Sequence, residues 1–281
     1  MNSITTRGVP AALNPQAEFA KLCAWLASAL ALASFALVLA TLLTSIRLPG
    51  KPGWPEAVLV LTTTLATLLS LARQLPGQNV LLAGAIIGVI GGTLHGVGAA
   101  TAIPFGPFTC TESAGPRIFG VLAWPLPALW IIAILNSRGV ARLILRPWRK
   151  IRTYGFWLIG ITAALTVLFD VALEPFATQV KHFWIWQPTK FPLTWYGAPL
   201  VNSLGWLLTA LLILAFATPA LINKQPGQKQ SLRDYHPLVL WLSALALFGV
   251  GAAAHQLWIA AAVCGLAGMA ATVFAIRGGR W

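Results

Sequence analysis

Two of the chain's six acidic side chains, Asp170 and Glu174, fall in FDVALEPF (169–176), near the end of a long apolar run. Their i, i+4 spacing places both on one helix face. Two carboxylates sharing a dry face repel, so at least one is expected to keep its proton near neutral pH. A buried, protonated carboxylic acid is what general acid catalysis requires. The same residues also allow a structural reading, with Glu174 reaching the membrane interface and Asp170 held by Asn202 or a backbone group. His95 is the third candidate. It lies in GAIIGVIGGTLHGVGAA (84–100), where Gly84, Gly88, Gly92 and Gly96 recur every fourth residue. Gly88, Gly91, His95 and Gly98 form an adjoining stripe. Small stripes let helices approach closely. His95 is therefore expected to face protein or a cavity, either as a packing residue or as part of the chemistry.

The residues that would surround a substrate are aromatic. The stretch KHFWIWQPTKFPLTWYGAPLVNSLGW (181–206) carries Phe183, Trp184, Trp186, Phe191, Trp195, Tyr196 and Trp206. Some of these suit an interfacial belt. Asn202 and Trp206 do not, because an amide and an indole at i, i+4 inside an apolar segment suggest a ligand pocket. The segment IPFGPFTCTESAGPR (103–117), with Phe105 and Glu112, is expected on the same side and able to close that pocket.

Positioning these side chains is a matter of membrane helices. The 281 residues are 58% hydrophobic and only 9% charged, against about 25% charged in a soluble domain. That much apolar surface needs lipid rather than water as its solvent. A net charge of +13 would suggest nucleic acid in a soluble protein, but here Lys and Arg cluster between apolar segments. Nucleic-acid binding is set aside. Cys23, Cys110 and Cys264 are too scattered for a disulfide framework or a metal site.

A spanning helix needs roughly 20 mostly apolar residues. Eight such runs are predicted, at 20–46, 56–72, 79–103, 118–136, 153–178, 197–222, 237–254 and 256–276. The last two meet closely at His255, which leaves seven spans as the alternative. The first run is too long for a cleavable signal, whose apolar region covers about 7–15 residues. The expected fold class is an all-α polytopic transmembrane bundle, one membrane domain over 1–281, without internal repeat. With the N-terminus inside, 14 of the 19 Lys and Arg fall on the inner side, which predicts cytoplasmic termini. Asp170 then lies about 25 Å and His95 about 24 Å from the inner ends of their helices, at 1.5 Å per residue. An acid and an imidazole are thus expected at similar depth.

The order of motifs resembles the integral-membrane carotenoid biosynthesis family, which includes CruF-type carotenoid 1',2'-hydratases and bisanhydrobacterioruberin hydratases. The matching stretches are HGVGAATAIPFGPF, VLAWPLPALW, DVALEP, WIW and WYGAPLVNSLGW, within residues 84–210. The last is the most specific, since Tyr196, Gly197, Pro199, Asn202, Gly205 and Trp206 all fit. The chain departs from the pattern at His95, where the family carries Glu. It departs also at Phe108 and Cys110, where the family carries Tyr, and in one extra residue between the two acids.

The resemblance implies acid-catalysed addition of water to a terminal isopropylidene double bond, giving a tertiary alcohol. It implies Asp170, Glu174 and His95 as catalytic candidates, and Phe105, Glu112, Trp184, Trp186, Tyr196, Asn202 and Trp206 as substrate-binding candidates. Indole faces stabilise a carbocation, and a polar side chain holds the water. No metal or organic cofactor is required. The expected partners are a carotenoid taken from the lipid phase, membrane lipids and other carotenoid enzymes, and the expected site is a bacterial inner membrane. Three rival readings use the same residues: a lipid-binding protein or transporter, a different lipid-modifying enzyme with Asp170 and His95 as acid–base pair, and a non-catalytic scaffold.

Overall fold

The computed structural model describes residues 15–44, 49, 53–189, 193–222 and 234–281. Eight long apolar helices make the bundle: α1 (Pro15–Leu43), α2 (Trp54–Ala72), α3 (Gly77–Thr101), α4 (Leu126–Ile144), α5 (Tyr154–Pro175), α6 (Leu200–Ala217), α7 (His236–Ala254) and α8 (Trp258–Gly279). Each is long and apolar enough to cross a bilayer. Helices leave no backbone polar group unpaired in lipid, which is why the apolar runs adopt them. Large side chains such as Trp25, Leu81, Phe156, Leu208 and Met269 point outward, as a lipid-facing belt does. The protein is an integral membrane protein.

Local signals set the helix ends. Gly53 adopts φ +83° immediately before α2, and Ala102 closes α3 at φ +66° with its N–H on Gly98 O. Pro125, Pro199 and Pro237 stand at the starts of α4, α6 and α7, where a missing N–H costs nothing. His255 and Gln256 make the tight turn between α7 and α8, so the joint near His255 separates two spans and the described residues hold eight.

An even number of spans puts both terminal helices at one end of the bundle, here called the terminal end. The connections from α3 to α4 and from α5 to α6 lie at the opposite, hairpin end and contain short strands. These are β1 (Phe108–Cys110), β2 (Arg117–Ile118), β3 (Leu122–Ala123), β4 (Trp184–Trp186), β5 (Thr194–Trp195) and β6 (Ala198–Pro199). They pair as three antiparallel ribbons, β1 with β4, β2 with β3 and β5 with β6. The β1–β4 ribbon ties the two connections together.

The fourth span corrects the sequence reading. It runs from Leu126 to Ile144 rather than 118–136. Residues 117–123 make the β2–β3 hairpin instead, turning at Phe119 and Gly120, both with positive φ. Residues 137–139, read as loop in the sequence, lie inside the helix with Asn136. Asn136 donates to Thr67 Oγ1 on α2 at 3.0 Å, and Arg138 donates to Leu221 O at 3.2 Å. Packing against α2, α3, α5, α7 and α8 makes α4 the central helix of the bundle. Polar groups buried there are tolerated because neighbouring helices supply their partners. The sixth span is also shorter than the predicted 197–222, because 198–199 belong to β6.

Candidate active site

The two acids occupy the last two turns of α5. Asp170 is fully buried and Glu174 is 3% exposed. Asn202, in the first turn of α6, spans both. Its Nδ2 lies 3.0 Å from Asp170 Oδ2, 3.3 Å from Asp170 Oδ1 and 3.2 Å from Glu174 Oε1. Glu174 Oε2 accepts two indole N–H bonds, from Trp184 at 3.2 Å and Trp186 at 3.0 Å. The W-x-W spacing explains this, since residues i and i+2 of a strand face the same way. Pairing with β1 holds the strand in register, Trp184 opposite Cys110 and Trp186 opposite Phe108. Among the described residues, neither carboxylate forms an ion pair.

The acid–proline pair has a structural consequence of its own. Pro175 lacks an N–H, so the carbonyl of Val171, four residues back, loses its helical donor. Trp195 Nε1 takes that place at 2.9 Å. The vacancy created by Pro175 therefore docks the β5–β6 hairpin onto α5. That hairpin turns through Tyr196 and Gly197 at φ +49° and +91° and runs directly into α6. Gln179 Nε2 fastens the turn from the other side, on Tyr196 O at 3.0 Å. This is how a residue 32 positions beyond Asp170 arrives on its carboxylate.

One helical turn beyond Asn202, Trp206 stacks on Trp130 with ring centres 4.1 Å apart. Trp130 Nε1 donates to His95 Nδ1 at 3.0 Å. Because an indole only donates, Nδ1 is the accepting nitrogen and the ring proton sits on Nε2. His95 also faces Phe105 at 4.2 Å and, edge-on, Phe108 and Trp206, each at 5.8 Å. Phe108 in turn meets Trp186 at 5.3 Å. His95 thus closes an aromatic box and stands one ring layer from the acids. The structure shows no hydrogen bond from it to Asp170 or Glu174, so the acid–base pair of the rival reading is not in contact.

The glycine stripe makes the box possible. A Cβ at Gly91 would overlap the Trp130 ring, and one at Gly98 or Gly205 would overlap Phe105. Phe105 is a fully buried wedge between α3 and α6. Glu112 is exposed on a short helical turn, Glu112–Ala114, away from the acids. Tyr196 is half-buried at the hairpin turn and edge-on to Trp195. The structure brings together Asp170, Glu174, Asn202, Trp184 and Trp186, places His95, Phe105 and Trp206 in the adjoining box, and leaves Glu112 outside. Sequence reasoning missed Trp130 and Trp195 as parts of the site. Trp130 had a signal in VLAWPLPALW, an indole at the same membrane depth as Trp206.

A cavity of about 270 Å³ lies beside this cluster, between α1, α2, α4, α5 and α7. Phe35, Leu129, Phe169, Leu173, Phe248 and Trp184 line it. Trp184 is shared: its ring borders the apolar space and its N–H is on Glu174. Glu56, on the rim, is paired with Lys181.

The family described as carotenoid biosynthesis protein matches residues 55–271. The chain belongs to that family. The resemblance read from motifs at 84–210 therefore extends over nearly the whole bundle. A relative from Haloarcula japonica, bisanhydrobacterioruberin hydratase, is 30% identical over 141 residues, 49% of this chain. The match spans 44% of that relative's length. No solved structure matches the chain.

Proposed function

We propose that this carotenoid biosynthesis protein is a hydratase that adds water to a terminal isopropylidene double bond of an acyclic carotenoid end. The observation that carries this reading is a buried carboxyl pair bridged by one amide, met by two indoles and, among the described residues, lacking a counter-cation. Two charges cannot be held there cheaply, so the pair keeps a proton. Glu174 has two indole donors besides the shared amide, whereas Asp170 has the amide alone. Charge therefore belongs on Glu174 and the proton on Asp170.

In the proposed reaction the Asp170 hydroxyl gives its proton to one alkene carbon, and the neighbouring carbon becomes a tertiary cation. Aromatic faces around the acids stabilise that cation. A water molecule attacks it and releases a proton to Glu174, and passage of that proton to Asp170 restores the pair. Asn202 Nδ2 is committed to the acids, which leaves its carbonyl oxygen to orient the water. The polyene enters from lipid, and the cavity ending at Trp184 suits an apolar end group. His95 serves the box as the acceptor for Trp130 rather than as an acid.

The test is a lipid extract from a lycopene-producing host, with and without this chain. The proposal expects a new carotenoid heavier by one water. An unchanged carotenoid profile with the chain present in membranes would favour binding or transport. We also propose cytoplasmic termini in an inner membrane, from the excess of Lys and Arg at the terminal end. Reporter fusions at Gly227 and Gln187 should report opposite sides, and the same side for both would contradict it.

A further inference from the structure

A second cavity lies at the terminal end, opposite the acids. It measures about 630 Å³ and lies between the ends of α2, α4, α5 and α6 and the turn that follows α4. Arg138, Arg142, Arg146, Arg149 and Lys150 line it, against a single carboxylate, Asp234. That carboxylate is already engaged. It accepts from Ser70 at 3.2 Å, from Gln74 at 2.5 Å and from the His236 backbone N–H at 3.1 Å, with His236 Nδ1 3.0 Å away. Burial pushes the Asp234 carboxyl up, but the hydrogen bonds from His236 outweigh this and hold it below the usual value.

Arg142 donates to Gln74 Oε1 at 2.8 Å, but Arg138 and Arg146 meet no carboxylate among the described residues. Arg138 is 7% exposed and its one described hydrogen bond is to the carbonyl of Leu221. Nε and Nη1 of Arg146 are buried and meet no partner among the described residues. A buried donor without an acceptor costs about 1–3 kcal/mol, more when charged. The chain's other acids cannot supply one: Glu18 pairs with Lys21, Glu56 pairs with Lys181, Glu112 is exposed and distant, and Asp170 and Glu174 are at the hairpin end. Residues 223–233, which lie outside the described ones, contain no acid. Among the described residues no carboxylate meets Arg138 or Arg146.

We propose that this cavity is a binding site for a phosphate-bearing anion, held between Arg138 and Arg146 and drawn in by Arg149 and Lys150 at the mouth. Guanidinium groups present planar, paired N–H donors that match phosphate oxygens. The cations grade inward, from exposed Arg149 and Lys150 through half-buried Arg146 to buried Arg138. The remaining wall is apolar, with Leu71, Leu135, Leu158 and Leu214, so a chain attached to the phosphate has a dry surface to lie on. Basic pockets between helices on a cytoplasmic face bind lipid head groups through this chemistry. A lipid phosphate and a soluble diphosphate share it.

The test uses the purified full chain in detergent. Thermal unfolding is followed with sodium pyrophosphate, with phosphatidylglycerol or phosphatidylcholine in mixed micelles, and with sodium chloride at matched ionic strength. One phosphate source should stabilise the chain beyond the chloride control. Pyrophosphate acting alone assigns a soluble anion, and phosphatidylglycerol acting alone assigns a lipid. Arg146→Gln should weaken the apparent affinity about tenfold or more, as loss of a charge-assisted hydrogen bond does. Arg149→Gln, at an exposed position, covers the case in which the Arg146 variant does not accumulate, and should weaken it severalfold. Lys21→Gln, away from the cavity, should change nothing. Stabilisation no greater than chloride gives, equal affinity in both Arg variants, or an equal loss in Lys21→Gln would overturn the proposal.

Discussion

The two ends of the bundle treat charge in opposite ways. At the hairpin end, two carboxylates share one amide and two indoles with no cation beside them. At the terminal end, five cations surround one carboxylate. A protein economising on buried charge would have paired the surplus of one end with that of the other. Here the surpluses stand at opposite ends of the bundle, and we propose that each is completed by something mobile. In the proposed account the acids hold a proton, and Arg138 and Arg146 take an anion. Unpaired charge is costly in a bundle, and on the account proposed above it marks the places where the chain meets its ligands.

The largest effect should come from separating these roles. Asp170→Asn keeps the size of the side chain and removes the proton. Hydration should fall by about 10²–10⁴, while anion stabilisation at the terminal end stays as in the parent. Arg146→Gln should do the reverse. If Asp170→Asn turns over normally at equal membrane abundance, the carboxyl pair is not the proton source.

His95 sharpens the comparison, because it is the titratable group nearest the acids that the structure assigns to packing. His95→Phe leaves the Trp130 N–H buried without an acceptor and should cost about 1–3 kcal/mol of stability. His95→Gln keeps an acceptor and should lose much less, with hydration near the parent level. Thermal unfolding and product yield measured together decide this. Loss of hydration in His95→Gln at unchanged stability would return His95 to the chemistry.

The smallest effect concerns placement. Trp195→Phe strips Val171 of the donor that replaces the one Pro175 lacks. Stability should fall by about 1 kcal/mol, and turnover should fall with little change in KM, because Asn202 is no longer held on the acids. A rise in KM alone would mean that the hairpin contacts substrate instead.

Much of this arrangement was legible in the sequence. The eight spans follow from apolar runs longer than the bilayer requires, and Pro and Gly mark their ends. The pairing of Asp170 with Glu174 follows from helical spacing, and the W-x-W motif already implies two indoles on one face. What the sequence hid was decided by partners distant along the chain. Arg138 read as a loop residue, and Asn136 as the end of a span, because Thr67 and Leu221, which satisfy them inside the bundle, are remote in sequence. His95 was expected at the depth of Asp170, and depth alone could not reveal that Trp130 takes its Nδ1. The basic cluster at 138–152 read as a signal of orientation, since nothing in its order showed that it folds around a cavity.

The central claim is that the carboxyl pair delivers a solvent-exchangeable proton to carbon before water attacks. Membranes carrying this chain, supplied with lycopene in deuterium oxide, test it directly by mass spectrometry of the product. The account predicts a tertiary alcohol with one non-exchangeable deuterium on the carbon next to the alcohol carbon, and almost none formed by Asp170→Asn membranes. An alcohol formed without that deuterium, or at the same rate by the Asp170→Asn variant, would contradict it.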